Sequence, residues 1–349
     1  MSRRGVTLLT AGALVVVLGI LAAVLPVPYV VLVPGPVTDT LGNVGTTPVI
    51  SVTGAQTYTD SGHLYLTTVG VIPGSCNKNP TLEQALRAWF DKHQAVQPKQ
   101  AICPPGQTSQ AVAQQNADEM TQSQQDAITA ALLYLHYKPT SVHISVGDVS
   151  SSAPAAAVLH TGDLILAING TNVTGLDQLH NLISAKPAGS TLALSVDRHG
   201  QKLDLRAKTY SDSGRTVLGF QPDLHATFAT PDVKIGIDPN SVGGPSAGLA
   251  FTLGIIDKLT PGSLSGGRVV AGTGTIDGFG NVGPIGGIQQ KIAGATGRGA
   301  KVFLAPAGEC ADARKAAPKS LVIVKVDKLE TAVKALQSIA AGRDDFPHC

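Results

Sequence analysis

Between Gly5 and Thr38 there is no Asp, Glu, Lys or Arg, and the twenty residues from Val6 to Leu25 are almost all apolar. A helix rises about 1.5 Å per residue, so this run spans the ~30 Å hydrocarbon core of a bilayer. No face of it is polar, which argues against an amphipathic helix on a soluble core. Arg3 and Arg4 precede the run, and positive charge is retained in the cytoplasm, so everything after Leu25 is expected outside. A cleaved signal peptide is the competing reading. The run exceeds the ~7–15 residues of a signal core, and Leu21-Ala22-Ala23 is a poor small-x-small cleavage site, so an uncleaved anchor is preferred. Pro26 and Pro28 then end the helix.

The chain has 349 residues, which predicts more than one folded unit. Hydrophobic residues make up 43% and charged ones 14%, which excludes a disordered polyelectrolyte. Net charge is +2 and the basic residues are scattered, so no nucleic-acid partner is expected. The four cysteines, Cys76, Cys103, Cys310 and Cys349, form no C-x-x-C pair and none lies beside His at ligand spacing, so no metal centre is expected. In an oxidising compartment the simplest pairing is by segment, Cys76 with Cys103 and Cys310 with Cys349. Three connectivities are open to four cysteines, and buried free thiols are the further alternative.

From Val30 to Val71 apolar and polar residues alternate, as in Val49 to Thr53 and His63 to Thr67, which predicts strands. After Pro80, Leu82, Leu86 and Phe90 fall at helical spacing, and a longer helix is expected from about Ala111 to Tyr137. Its Gln-rich stretch, Ala113 to Asp126, reads as a solvated face. A second unit opens with the alternating run Val142 to Val146. It continues through Ser152-Ala153-Pro154-Ala155, His160-Thr161-Gly162-Asp163, an apolar strand and the turn Asn169-Gly170, then a helix with Leu176, Leu179, Leu182 and Ile183 on one face. The S-A-P-A-x-x-x-L-x-x-G-D-x-I-L-x-I-N-G run resembles a bacterial PDZ domain, whose peptide adds to a sheet edge beside a helix. The resemblance implies a groove between the Val142–Val146 strand and the Leu176–Ile183 helix, with Val142, Ile144, Leu176 and Leu179 lining it. There is no clear Gly-Leu-Gly-Phe loop for a terminal carboxylate.

The chemistry gathers near the end. Pro239-Asn240-Ser241-Val242-Gly243-Gly244-Pro245-Ser246-Ala247-Gly248 precedes an apolar run. Pro245 after two glycines fits the first turn of a helix, with Ser246 beside it. Unpaired N–H groups and the positive helix end there would stabilise an oxyanion, with Gly243, Gly244 and Ala247 as the surrounding backbone. A serine needs a base. Lys291, in Pro284-Ile285-Gly286-Gly287-Ile288-Gln289-Gln290-Lys291-Ile292, stands among apolar neighbours near a helix start, and both features lower an ammonium pKa.

The P-S-A-G, T-G-T-I and P-I-G-G-I-x-x-K motifs together resemble the proteolytic domain of Lon-type Ser-Lys proteases, over about Ala226 to Gln337. That resemblance implies Ser246 as nucleophile, Lys291 as base and Thr273 as the hydroxyl that orients the lysine. Gly243 stands where many Lon proteases have Asp, and Thr275 where they commonly have Glu. The whole arrangement is similar to membrane-bound PDZ–Lon-like proteases of Gram-positive bacteria, which implies polypeptide substrates, no cofactor and, as in many Lon-like proteins, hexamers. The sequence lacks the G-x-x-x-x-G-K-[ST] phosphate loop, so no ATP partner is expected.

The expected fold is α+β and multidomain. Residues 1–35 form the cytoplasmic tip and transmembrane helix, 36–138 a membrane-proximal α/β region, 139–210 the PDZ domain and 221–349 the peptidase. Three rivals are weaker. Gly278 to Gly283 matches G-x-G-x-x-G, but Pro284 follows and no acid lies at the right distance, so a hairpin turn is preferred. His225 with Asp232 or Asp238 would make a triad, but there is no G-x-S-x-G elbow. A catalytically silent PDZ scaffold at the membrane is the alternative function.

Overall fold

The computed structural model describes residues 3–349 except Asp60, His199, Pro239 and Asn240. Pro239 and Asn240, which open the serine-bearing run, thus lie outside the described residues. Helix α1 (Arg3–Val24) is long and apolar enough to cross a membrane, and none of it is buried against the rest of the chain. Strand β1 (Tyr29–Asp39) follows, then β2 (Ile50–Thr53) and β3 (His63–Ile72). Helix α2 (Leu82–Phe90) opens with a capping box: the Thr81 hydroxyl accepts from the Gln84 amide, and the Gln84 side chain accepts from the Thr81 amide. After β4 (Ala95–Pro98), Thr108 caps the long helix α3 (Ser109–Tyr134).

The next stretch folds on a core of its own. Strands β5 (Ser141–Val149), β6 (Leu164–Ile168), β7 (Thr191–Arg198), β8 (Gln201–Lys208) and, after the hairpin β9 (Tyr210–Asp212) and β10 (Arg215–Val217), β11 (Phe220–Thr227) include one antiparallel sheet ordered β8-β7-β6-β5-β11. Helix α4 (Leu176–Ser184) lies against it, and Ile144, Ile168, Leu179, Leu194 and Val196 fill the interior. The unit extends beyond the expected end at residue 210. Leu218 and Leu224 are buried in this same core, and β11 pairs with β5 along Ser141–Val149. Strand Phe220–Thr227 therefore completes this sheet.

The remaining elements are β12 (Asp232–Ile235), α5 (Gly248–Leu259), β13 (Val269–Gly272), the hairpin β14 (Thr275–Ile276) and β15 (Val282–Gly283), α6 (Ile288–Gly297), β16 (Val302–Pro306), α7 (Cys310–Ala316), β17 (Val322–Val326) and α8 (Leu329–Ala340). They do not make a separate domain. The main sheet runs β17-β16-β13-β3-β1-β4, so strands from before and after the PDZ-like unit interleave. Strand β3 pairs parallel with β13, Leu64 opposite Val270, and β12 pairs with β2. One continuous core joins Ile50, Leu66, Met120 and Leu132 to Phe251, Leu304 and Leu336. The expected division between residues 36–138 and 221–349 fails, because strands from both segments lie side by side in this one sheet. The β5–β11 unit is an insertion into a single folded body.

Two disulfides pin the body, Cys76–Cys103 and Cys310–Cys349. The second closes a tail that lies along β17, where the Cys349 amide donates to the Ile323 carbonyl.

Candidate active site

Helix α5 enters the core on a largely apolar surface, with Leu249, Phe251, Leu253, Ile255 and Ile256 all buried. It begins at Gly248 with Ala247 as its cap, so Ser246 stands just before the helix and not in its first turn beside Pro245, as the proline placement predicted. The cause lies in α3. Asn116, Met120 and Ser123 recur on one helix face, and that face grips the serine loop. The Gly244 amide donates to the Asn116 carbonyl (2.8 Å), the Ser123 hydroxyl donates to the Pro245 carbonyl (2.9 Å), and Met120 lies buried in the pocket floor. A Cβ on Gly243 would come within 2.7 Å of the Asn116 Cβ, so the contact requires glycine.

This changes two expectations. The Gly244 amide is committed to α3, so it is not a donor for an incoming carbonyl. The Gln-rich stretch is only half solvated. Gln114 and Gln115 bond Asp118 and Glu119 on its outer face, but Gln124 donates to the Ile237 carbonyl across the body.

Lys291 lies near the start of α6, after Gly287 in the left-handed region (φ 68°), and only 2% of its surface is exposed. Its Nζ is 2.8 Å from Ser246 Oγ, 3.0 Å from Thr273 Oγ1 and 3.0 Å from the Thr67 carbonyl oxygen. The three partners fix the roles of the amine. A carbonyl only accepts, so Thr67 takes one N–H. The Thr273 hydroxyl donates to the Ser246 carbonyl (3.1 Å), so towards Lys291 it too must accept. A neutral amine has two N–H groups, and both are now used. Its lone pair is left for the Ser246 hydroxyl proton.

Burial pushes the Lys291 ammonium down from 10.5 to about 7. Among the described residues lining the ~350 Å³ cavity over Ser246, Lys291 is the one ionisable side chain. That agrees with Gly243 and Thr275 standing where carboxylates were noted in related proteins. Here desolvation depresses the lysine without a charged neighbour.

The model of the Lon protease (S16) C-terminal proteolytic domain matches residues 207–338, and that of the PDZ domain matches residues 119–209. This chain carries a PDZ domain and a Lon-type proteolytic domain. Lon protease 1 of Bacillus subtilis (strain 168) is 31% identical over 153 residues, covering 42% of this chain and 19% of that protein. The Lon protease of Phenylobacterium zucineum (strain HLK1) is 32% identical over 123 residues, 34% of this chain and 15% of that protein. The chain thus spans less than a fifth of these relatives' length. Among solved structures, the PDZ domain of an SdrC-like protein from Listeria monocytogenes is 26% identical and covers 24% of this chain and 92% of that one, with a TM-score of 0.23. The Lon-type match leaves out Thr67, Asn116, Met120 and Ser123, which nevertheless complete the site. Nothing in their residue types signals this, because Thr67 and Asn116 act through backbone carbonyls.

The groove expected beside Val142–Val146 is closed. Strand β5 is paired on both edges, by β6 and β11, so no peptide can add to Val142–Val146. Ile144 is fully buried and Val142 packs on the core, and neither lines the cavity beside α4. Leu176 also packs on the core, whereas Leu179 lines a cavity of about 920 Å³ with His180, Ile183, Val217, Leu218 and Phe220, between α4 and the segment containing β10.

The G-x-G-x-x-G run is the β14–β15 hairpin, its turn capped by the Asp277 carboxylate, which accepts from the Phe279 and Asn281 amides. His225 is engaged with groups other than those expected. Its Nε2 lies 2.8 Å from Ser145 Oγ, and it joins Asp126 and Asp223 where α3 meets the PDZ sheet. Burial, and then the Asp223 carboxylate, push the Asp126 carboxyl well above the usual carboxylate range. Asp232 pairs on the surface with Lys234. The clustering of Asp126, Asp223 and His225 was not legible in the sequence, where about a hundred residues separate the first from the others.

Proposed function

We propose that the protein is a membrane-anchored serine endopeptidase that works without ATP on extracytoplasmic or membrane-associated polypeptides. The supporting observation is the buried contact between Lys291 Nζ and Ser246 Oγ, with the lysine lone pair directed at the hydroxyl. Ser246 Oγ attacks the scissile carbonyl carbon while its proton passes to Lys291 Nζ. The resulting ammonium keeps its bonds to Thr67 and Thr273. Negative charge on the carbonyl oxygen develops beside Ala247 and Gly243, at the positive end of α5. Lys291 then returns the proton to the leaving amine, and the acyl-Ser246 ester is hydrolysed by a water that Lys291 deprotonates in turn. Anchoring by α1 and release of the body outside the cytoplasm follow from the Arg3-Arg4 flank.

The test is hydrolysis of unfolded casein by the full chain in detergent, without nucleotide. Failure of the wild type to cleave while it still binds casein would instead favour a silent PDZ scaffold. The pH profile follows from the lysine. The active form is the neutral amine, so kcat/KM is expected to rise as pH passes upward through about 7 and then level off. A limb centred near the ordinary lysine value of 10.5 would show that the base is not desolvated in solution.

A further inference from the structure

Beyond α1, the large apolar side chains left exposed gather at one end of the molecule: Leu25, Tyr29, Ile72, Leu86, Trp89 and Phe90, against Val44 and Val322 elsewhere among the described residues. Helix α2 supplies three of the six. With 3.6 residues per turn, Ala88, Ala85, Leu82, Trp89, Leu86 and Phe90 form one apolar arc, and Glu83, Gln84 and Arg87 occupy the opposite side. The body covers only half of that arc. Ala85 and Ala88 are buried, but Leu86 is 47%, Trp89 72% and Phe90 84% exposed. The Leu82, Leu86, Phe90 stripe therefore does not pack inward as a core helix would.

The position of α2 says what covers the rest. Its first amide, Leu82 N, donates to the Leu25 carbonyl at the end of α1 (2.9 Å), the Val27 amide donates to the Pro80 carbonyl (3.0 Å), and Pro26 bridges Thr81. The exposed arc thus stands at the level where the chain leaves α1. The Cys76–Cys103 disulfide closes the loop that contains α2, which keeps it there.

We propose that α2 is an interfacial helix whose Leu86, Trp89 and Phe90 insert into the headgroup layer of the bilayer crossed by α1. This rests on the anchor reading of α1. Tyr29 and Trp89 are residue types favoured at that depth, and the Glu83–Arg87 pair faces water. Docking fixes the height of the catalytic site. Tyr29 begins β1 and Pro36 of the same strand lines the Ser246 cavity; seven residues at about 3.3 Å each place that cavity no more than about 25 Å from the bilayer exit. The loop after α2 is also tied to the lysine helix, since the buried Gln290 side chain donates to the His93 carbonyl (3.3 Å). Segments of a substrate close to the membrane are then the ones within reach.

Trp89 is the only tryptophan in the chain and serves as the probe. The full chain is reconstituted into phosphatidylcholine–phosphatidylglycerol vesicles, with or without lipids brominated near the headgroup end of the acyl chain. The expected result is that brominated lipid removes most of the Trp89 emission while aqueous iodide removes little. Leu86→Ser with Phe90→Ser should reverse that order and leave casein hydrolysis unchanged. Retention of the protein through a carbonate wash without quenching by brominated lipid would overturn the inference and leave the anchor standing. If Trp89 is then also shielded from iodide, another protein surface covers the face. Loss of the protein in the carbonate wash would instead overturn the anchor, and the inference with it.

Discussion

Ser246→Ala and Lys291→Ala are each expected to abolish casein hydrolysis, and the double variant should be no worse than either alone. Residues that act as one unit lose nearly everything singly, because the proton released by Ser246 has no other acceptor. Among the described residues lining the cavity there is no second ionisable side chain to take it. Lys291→Arg should fail as completely. A guanidinium does not deprotonate in a protein, so the charge stays and the lone pair is gone. It must also fit where the ammonium is 2% exposed among Thr67, Thr273 and Ser246. Steady-state hydrolysis with circular dichroism of each variant checks this. Near-normal turnover by a folded lysine variant would remove Lys291 from the role of base.

Phe251→Ala is expected to destabilise the catalytic body by about 3–5 kcal/mol while sparing the inserted unit. Phe251 is fully buried in the core that joins β3 and α3 to α5, β16 and α8. Leu194→Ala, in the separate PDZ core, should do the reverse at about 2–5 kcal/mol. Calorimetry should therefore resolve two transitions. Phe251→Ala would lower its transition by roughly 10 °C and Leu194→Ala, in the smaller unit, by roughly 20 °C, because the shift per kcal/mol grows as the unit shrinks. Activity at elevated temperature should follow the Phe251 transition. A single transition shifted equally by both substitutions would show that insertion and body melt as one.

The motif residues Ser246, Thr273 and Lys291 were legible because their chemistry depends on side-chain type, and the structure brings these three within hydrogen-bonding distance. The residues that hold them were not. Thr67 and Asn116 contribute carbonyl oxygens that any residue would provide, and Ser123 is one serine in a polar helix. The strands themselves were readable from alternation, yet alternation says which side of a strand faces inward and not which strand lies beside it. That is why the pairing of β3 with β13 escaped notice, and with it the single catalytic body. The groove expectation failed for a related reason, since β11 lay beyond the presumed end of the PDZ domain and fills the edge that a peptide was to occupy.

Interleaving the sheet also sets an order in time. Thr67 and Lys291 are 224 residues apart, and Leu64 must wait for Val270 before β3 gains its parallel neighbour. Contacts so distant in sequence form late, whereas β5 to β11 are contiguous and find all their partners nearby. A chain emerging from its N-terminus therefore carries a folded PDZ unit before Ser246 and Lys291 can meet, because the lysine and β13 lie beyond residue 227. A chain truncated at Gly267 should show amide protection through 141–227 and none through 29–72, and protection of β1 and β3 in that fragment would refute this order.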